Sequence, residues 1–375
     1  MIWLCSWYPN QEDSFIGDFI QRHAIAASAY TKIHVIHIRE SAAKYPSSYT
    51  VVNENLVEEI HYLPRTSTYF FRIKSYLQKQ IACINRFILE NGKPDGIHVH
   101  VPLKAGLIAL HSYWYLRIPY VVTEHYGIYN HDVTDHFETR HVLFRILTRW
   151  VIKKSKQLST VSTSLANEMN HYGLSKNTIS IPNVVNTKLF SFHQPPSMDT
   201  FRWIHISGMT PLKNVAGILQ AMENVLHHVP NTELILVGDI RNELVKQVQS
   251  SPQLKNQVIF TGVLSYSEVA NQIKQAHALV LFSDSESQSC VVLEALCSGR
   301  PCIVPATGGV QELIDDHNGF KVNVRDTEHL AIKMIDLQQK YSQYNFQRIS
   351  EQAIAQYSYE KVGMEFKTLY DRNFQ

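Results

Sequence analysis

No apolar run in this chain of 375 residues approaches the length of a membrane-spanning helix, so no such span is expected. Cysteine is sparse: Cys5, Cys83, Cys290, Cys297 and Cys302, with no Cys-x-x-Cys spacing. That argues against both a zinc module and a disulfide framework, and a reducing cytoplasm is the simplest setting. Walker-type loops and Gly-x-Gly-x-x-Gly are missing, which counts against P-loop hydrolysis and ordinary dinucleotide oxidoreduction. No Asp-x-Asp offers a metal clamp, and Met1-Ile-Trp-Leu-Cys5 lacks the basic flank and cleavage site of a signal peptide, reading instead as a buried strand. Net charge is only +2, yet uneven: residues 1–190 carry +6 and the remainder −4. A mildly basic first half would favour an anionic surface or substrate.

What is present is a globular composition, 45% hydrophobic, on a length that suggests two domains. Short β-rich apolar runs alternate with helical stretches. In the first half the strands read as Met1–Ser6, Lys32–Arg39, Gly96–Pro102, Tyr120–His125, Gln157–Ser162 and Thr178–Pro182. In the second they read as Arg202–Ser207, Glu233–Val237, Val258–Phe260, Ala278–Phe282, Cys302–Pro305 and Phe320–Val322. Helices are expected between them, as at Asp18–Ser28 and Val215–Val225. Such alternation predicts parallel sheets covered on both faces. Pro195-Pro196 separates the two sets, giving a first domain over 1–190, a linker over 191–200 and a second domain over 201–357. Two doubly wound α/β domains make a cleft, and ligands of such sheets lie beyond the carboxyl ends of the strands.

Candidate chemistry falls where that rule puts it. Glu286 and Glu294 share one stretch, and Glu294 interrupts the apolar helical run Val291, Val292, Leu293, Ala295 and Leu296. An unpartnered carboxylate is costly to bury, so something polar should meet it. After Arg202–Ser207 comes Gly208-Met-Thr-Pro-Leu-Lys213-Asn214, then a helix. Free amides at a helix start, with a lysine beside them, suit a phosphate; a solvated loop lysine would look the same. Gly238-Asp239 ends another strand. Gly308-Gly309 would let the backbone approach a ligand and present amides to an anion, or would serve only as a strand-to-helix turn.

In this order, Gly208…Lys213, Gly238-Asp239, Thr261-Gly262, Glu286-x7-Glu294, Gly299-x-Pro301 and Gly308-Gly309-x-x-Glu312 resemble the donor half of the family 4 retaining glycosyltransferases. Trp7-Tyr8-Pro9, Gly17-Asp18-Phe19-Ile20-Gln21-Arg22-His23, Ile97-His98-Val99-His100, Thr123-Glu124-His125 and Ile181-Pro182-Asn183-Val184-Val185-Asn186 resemble its first half. The resemblance implies the GT-B fold, an α/β architecture of two doubly wound Rossmann-like domains facing a central cleft. It implies that Glu286 contacts hydroxyls of the donor sugar, Glu294 those of the ribose, and that Lys213 neutralises the diphosphate. His125 would lie near the transferred sugar, and Gly17 in the loop that lets the domains close. Ser287, Gln288, Ser289 and Cys290, with Gly208, Gly238, Gly308 and Gly309, would line the donor through their backbone. The last helix, within 358–375, would return to the first domain. No cofactor and no metal ion are implied, since Lys213, a helix start and amides suit the leaving diphosphate, which itself takes the acceptor proton. The implied partners are a nucleotide-sugar donor and a glycan or lipid-linked acceptor, in cell-surface polysaccharide assembly. The setting is the cytoplasm or the inner membrane face, with no nucleic acid.

Two positions depart from the family pattern. Met209 stands where Gly-Arg is common, so one phosphate-binding cation is missing or comes from elsewhere, with Arg241 and Arg300 as candidates. Ser287-Gln288-Ser289 stands where Gly-Phe-Gly is common, reshaping the wall beside the sugar. His98, His100 and His205 read as strand histidines. The stretches Arg140–Lys156 and Tyr69–Lys74 mix cations with apolar residues, as a membrane-surface segment would and as an ordinary surface helix also does. A nucleotide-sugar epimerase, and a sugar-nucleotide-binding protein that has lost catalysis, share the same pattern.

Overall fold

Ile2-Trp3-Leu4-Cys5 is wholly buried and pairs in parallel on both sides, which is why it is apolar throughout instead of alternating. In the computed structural model, which describes residues 1–42, 47–65, 68–130, 135–174 and 177–374, this run is strand β1 (Ile2–Cys5). The other strands of its sheet are β2 (Ile33–Ser41), β3 (Ser48–Asn53), β4 (Leu56–Pro64), β5 (Ile97–His100), β6 (Tyr120–Glu124), β7 (Leu158–Thr160) and β8 (Ile179–Ser180). Their order is β3-β4-β2-β1-β5-β6-β7-β8, parallel except for β3 on the edge. Alternate residues of β1 feed two cores: Ile2 and Leu4 one, Trp3 and Cys5 the other. Helices therefore cover both faces.

The second sheet holds β9 (Phe201–Ile206), β10 (Thr232–Val237), β11 (Val258–Gly262), β12 (Ala278–Val280), β13 (Cys302–Pro305) and β14 (Gly319–Val322). Its order is β11-β10-β9-β12-β13-β14, all parallel. Counted from β9, that is the 3-2-1-4-5-6 order of doubly wound nucleotide-binding sheets. Trp203 and Ile204 again face two different cores.

The chain forms two compact units, Met1–Val184 with Tyr359–Gln375, and Val185–Ser358. The last helix, Tyr359–Phe374, packs on the helix Asp18–Ser28 so closely that a Cβ at Gly363 would lie 2.3 Å from the Ala26 carbonyl oxygen. Residues 191–200 are not a free connector. The buried Arg300 guanidinium donates to the carbonyls of His193 (2.9 Å) and Gln194 (3.4 Å), fixing that stretch to the second unit.

The antiparallel hairpin β3–β4 was not expected from sequence, because Glu58-Glu59 breaks the apolar pattern and the turn Glu54-Asn55 has no glycine. The structure buries both carboxylates with partners. Glu58 accepts from Tyr8 Oη and Gln21 Nε2, each at 2.7 Å, and Glu59 pairs with His34 at 2.9 Å and with His61 and Arg86. No helix among the described residues is long and apolar enough to cross a membrane.

Candidate functional site

From β9 the second sheet runs one way through β10 and β11, and the other way through β12, β13 and β14. The loops after β9 and β12 therefore flank the point where the strand order reverses, which is where open α/β sheets bind ligands. In the first loop a single 3-10 turn, Pro211–Lys213, ends at Asn214 (φ 47), whose side chain caps the helix Val215–His228 by accepting from the Gly217 amide. That turn carries the Lys213 ammonium to the second loop. Lys213 Nζ donates to Glu286 Oε1 at 2.5 Å, and Ser283 Oγ donates to the same oxygen at 2.8 Å. The pair is shielded yet reachable, with the lysine side chain 26% and the glutamate 9% exposed. The Asp284 amide donates to the Leu212 carbonyl at 2.8 Å, joining the two loops, while its carboxylate takes the Arg325 guanidinium at 2.7 and 3.0 Å.

Two glycines allow this convergence. Gly308 sits at φ 51, and a Cβ there would lie 1.8 Å from the Glu286 carbonyl oxygen, which accepts from the Gly309 amide at 3.1 Å. Gly238, at φ 137, would drive a Cβ to 1.8 Å from the Ser207 carbonyl oxygen. Gly208 has no such need: its φ is ordinary and nothing lies near its missing Cβ. Ser287, Gln288 and Ser289 lead into the helix Cys290–Cys297, whose N-cap Ser289 makes no side-chain cap, so the positive end of this helix faces the loop after β12. Glu294 sits mid-helix, 3% exposed, but it is not without a partner in the fold. Its burial alone therefore does not show that it meets a ligand.

The missing cation is also resolved in part. Met209 is 4% exposed and packs in the core between sheet and helices, so this position places no polar group at the site. Arg300 cannot replace it. Its guanidinium is fully buried and donates to the carbonyls of Ile273 (3.2 Å) and Lys274 (3.0 Å) besides those of His193 and Gln194. Arg241, the N-cap of the helix Asn242–Ser250, is half-buried and remains a candidate.

In the first sheet the order reverses between β1 and β5. Ser6 Oγ, just after β1, donates to the carbonyls of Val101 (3.1 Å) and Leu103 (2.7 Å) after β5. Val101 (φ 67) and Lys104 (φ 69) hold left-handed backbone there, an unfavourable conformation for a β-branched valine that no sequence signal had marked. Gly17 (φ 71) precedes the helix Asp18–Ser28 and lies so near Trp7 and Tyr8 that a Cβ would come within 2.7 Å of backbone.

His125 follows β6. Its amide and that of Tyr126 donate to Glu124 Oε1 at 2.8 and 2.9 Å, and Tyr129 Oη donates to Oε2 at 2.7 Å. Burial pushes the Glu124 carboxyl up to about 7. His125 Nε2 shares a hydrogen bond with His100 Nδ1 at 3.1 Å, and the two rings stack. Burial lowers His23 to about 4 and carries His100 and His125 well below the ordinary value, so all three are neutral at pH 7. Neutral imidazoles are the metal-binding form, and among the described residues His23, His100 and His125 bring ligand atoms within 4.8 Å of one another. Glu59, His61 and Cys83 do the same, although Arg86 and His34 already share that carboxylate.

Residues 26–189 match the model of Glycosyltransferase Family 4, and residues 200–340 that of Glycosyl transferases group 1. The chain is 26% identical over 237 residues to an N-acetyl-alpha-D-glucosaminyl L-malate synthase of Bacillus anthracis, covering 60% of this chain and 61% of that protein. It is 26% identical over 241 residues to an alpha-monoglucosyldiacylglycerol synthase of Streptococcus pneumoniae, covering 59% and 54%. In both cases the match spans less than two thirds of the relative's length. A sucrose-phosphate synthase from Thermosynechococcus elongatus superposes with a TM-score of 0.80 at 18% identity, covering 99% of this chain and 98% of that one, a likeness of fold.

Proposed function

We propose that this chain, which belongs to the GT-B glycosyltransferase superfamily, moves a sugar from a nucleotide-sugar donor to an acceptor with retention of anomeric configuration. The observation that carries the reading is the Lys213–Glu286 pair at the reversal point of a 3-2-1-4-5-6 sheet. Cleaving the bond between anomeric carbon and phosphate leaves negative charge on the diphosphate and positive charge on the sugar. On donor binding, Lys213 exchanges Glu286 for the diphosphate, and the released carboxylate accepts from sugar hydroxyls. The start of the helix Cys290–Cys297, and the backbone around Gly208, Gly238, Gly308 and Gly309, add positive potential where charge develops. Glu294 meets the ribose. A phosphate oxygen of the leaving group takes the acceptor proton, so the scheme needs neither a side-chain base nor a metal ion.

The acceptor belongs to the first unit, where His125, neutral and held by His100, offers a hydrogen bond to the sugar in transit. One relative is named as the synthase of a glucosylated diacylglycerol, which supports a lipid-linked acceptor or glycan met at the inner membrane face. The reading is tested by incubating the purified chain with uridine, guanosine and adenosine diphosphate sugars and following nucleoside diphosphate release in the presence of acceptor. Lys213→Ala should lower turnover by roughly 100-fold, the usual loss when one stabilising donor of a transition state is removed. Near-normal turnover in a variant with unchanged circular dichroism would contradict the site.

A further inference from the structure

The helix Val142–Lys154 has two apolar faces, and the fold uses only one of them. Thr148, Val151 and Ile152 turn inward and are buried. Val142, Ile146 and Trp150 recur every fourth residue, with Leu143 beside them, and all four are exposed on the other side. A surface helix ordinarily shows water a polar face opposite its buried stripe. Here the outward stripe continues onto the neighbouring helix Ala105–Tyr115, where Trp114 stands edge-on to Trp150 with ring centroids 6.5 Å apart and Tyr115 is exposed beside it. Exposure across this patch runs from 43% at Ile146 to 75% at Tyr115.

Charge indicates what covers it. Arg145, Arg149, Lys153, Lys154 and Lys156 accompany the stripe, and no Asp or Glu occurs between Glu138 and Glu168 or between Asp95 and Glu124. A protein partner's apolar face would not require that one-sided field, whereas an anionic bilayer does. Tryptophan and tyrosine settle at the headgroup level, apolar side chains enter the acyl boundary, and long cationic chains reach up to phosphate. We infer that this two-helix patch of the first unit is the surface by which the protein lies on an anionic lipid membrane. The inference rests on the proposed lipid-linked acceptor for its purpose, though not for its physics. The other candidate stretch is less complete: in the helix Tyr69–Asn91, Phe71 and Ile73 are exposed, while the side chains of Tyr69 and Phe70 lie outside the described residues.

The test is cosedimentation of the full chain, without donor or acceptor, with vesicles of phosphatidylcholine alone or mixed with phosphatidylglycerol. Binding should need the anionic lipid and weaken with salt. Lys153→Glu with Lys154→Glu should weaken it by at least roughly tenfold, since each cation near an anionic surface is worth about a fivefold change. Ile146→Ser with Trp150→Ser, at exposed positions outside the donor site, should also weaken binding while leaving turnover of a water-soluble acceptor unchanged. Absence of binding to anionic vesicles, or equal binding to neutral ones, overturns the inference. So does a concentration-dependent dimer abolished by Ile146→Ser without any vesicle binding. Because binding is read without substrate, a protein that binds vesicles but transfers no sugar refutes the proposed reaction and leaves this surface standing.

Discussion

At the scale of single residues, the proposed donor site holds a pair of opposite charges, Lys213 and Glu286, that satisfy each other. Lys213 and Glu286 could both be named from sequence, because a lysine before a helix and a glutamate after a strand lie at strand ends. Their 2.5 Å contact could not, since the two are far apart in the chain. Burial was equally hidden: Met209 in the core and Arg300 among four carbonyls look like ordinary loop residues when read as letters. The glycines separate cleanly. Gly308→Ala should destabilise by about 2 kcal/mol or more, through left-handed strain and the clash with the Glu286 carbonyl. Gly208→Ala should change stability by no more than about 0.5 kcal/mol, since no atom stands near its Cβ, while weakening donor binding if the backbone there meets the ligand. Urea titrations paired with donor-binding isotherms read both effects. Equal stability loss in the two variants would contradict the geometry.

Among the elements, the parallel strands were legible because each is a short apolar run bounded by turn residues. The β3–β4 hairpin was not, because Glu58 and Glu59 are buried alongside Leu56, Ile60 and Tyr62 and so interrupt the apolar pattern that would mark a strand. Burial alone would raise Glu59, but hydrogen bonds from His34, His61 and Arg86 outweigh it and hold the carboxyl well below the ordinary range. Its contribution is thus present above the unfolded carboxylate pKa and lost on acidification. Glu59→Ala removes the acceptor and leaves those donors without it, so unfolding should ease by about 3 kcal/mol at pH 7. A denaturant midpoint unchanged from the parent would show that the network carries no net stability. The helix Val142–Lys154 is the converse case: its composition fitted both an ordinary surface helix and a membrane-facing one, and the exposure of Trp150 and Leu143 is the structural observation on which the proposed membrane surface rests.

Over the whole molecule, two sheets each reverse strand order beside β1 and β9, and each reversal point gathers polar or strained residues. The first unit is also rich in buried neutral histidine. His23 and His37, and His205 in the second unit, are held at about 4 by desolvation, and His98, His100 and His125 lie well below the ordinary value for the same cause. Their folded-state pKa values lie below the unfolded ones, so the unfolded chain takes up protons first. Stability is whole above about pH 6.5 and drains as pH falls toward 4, by on the order of 2 kcal/mol at pH 5 for each histidine held near 4. Glu124, raised to about 7, works the other way and offsets about one of them. Thermal midpoints from circular dichroism should therefore drop between pH 6.5 and pH 5, and a flat profile would contradict the burial. The central claim, that a sugar nucleotide occupies the reversal point of the second sheet, is tested most directly by a crystal structure with a nucleoside diphosphate bound. The expected result is diphosphate against Lys213, the Lys213–Glu286 contact opened, and ribose at Glu294. A nucleotide lodged elsewhere, with that ion pair intact, would contradict it.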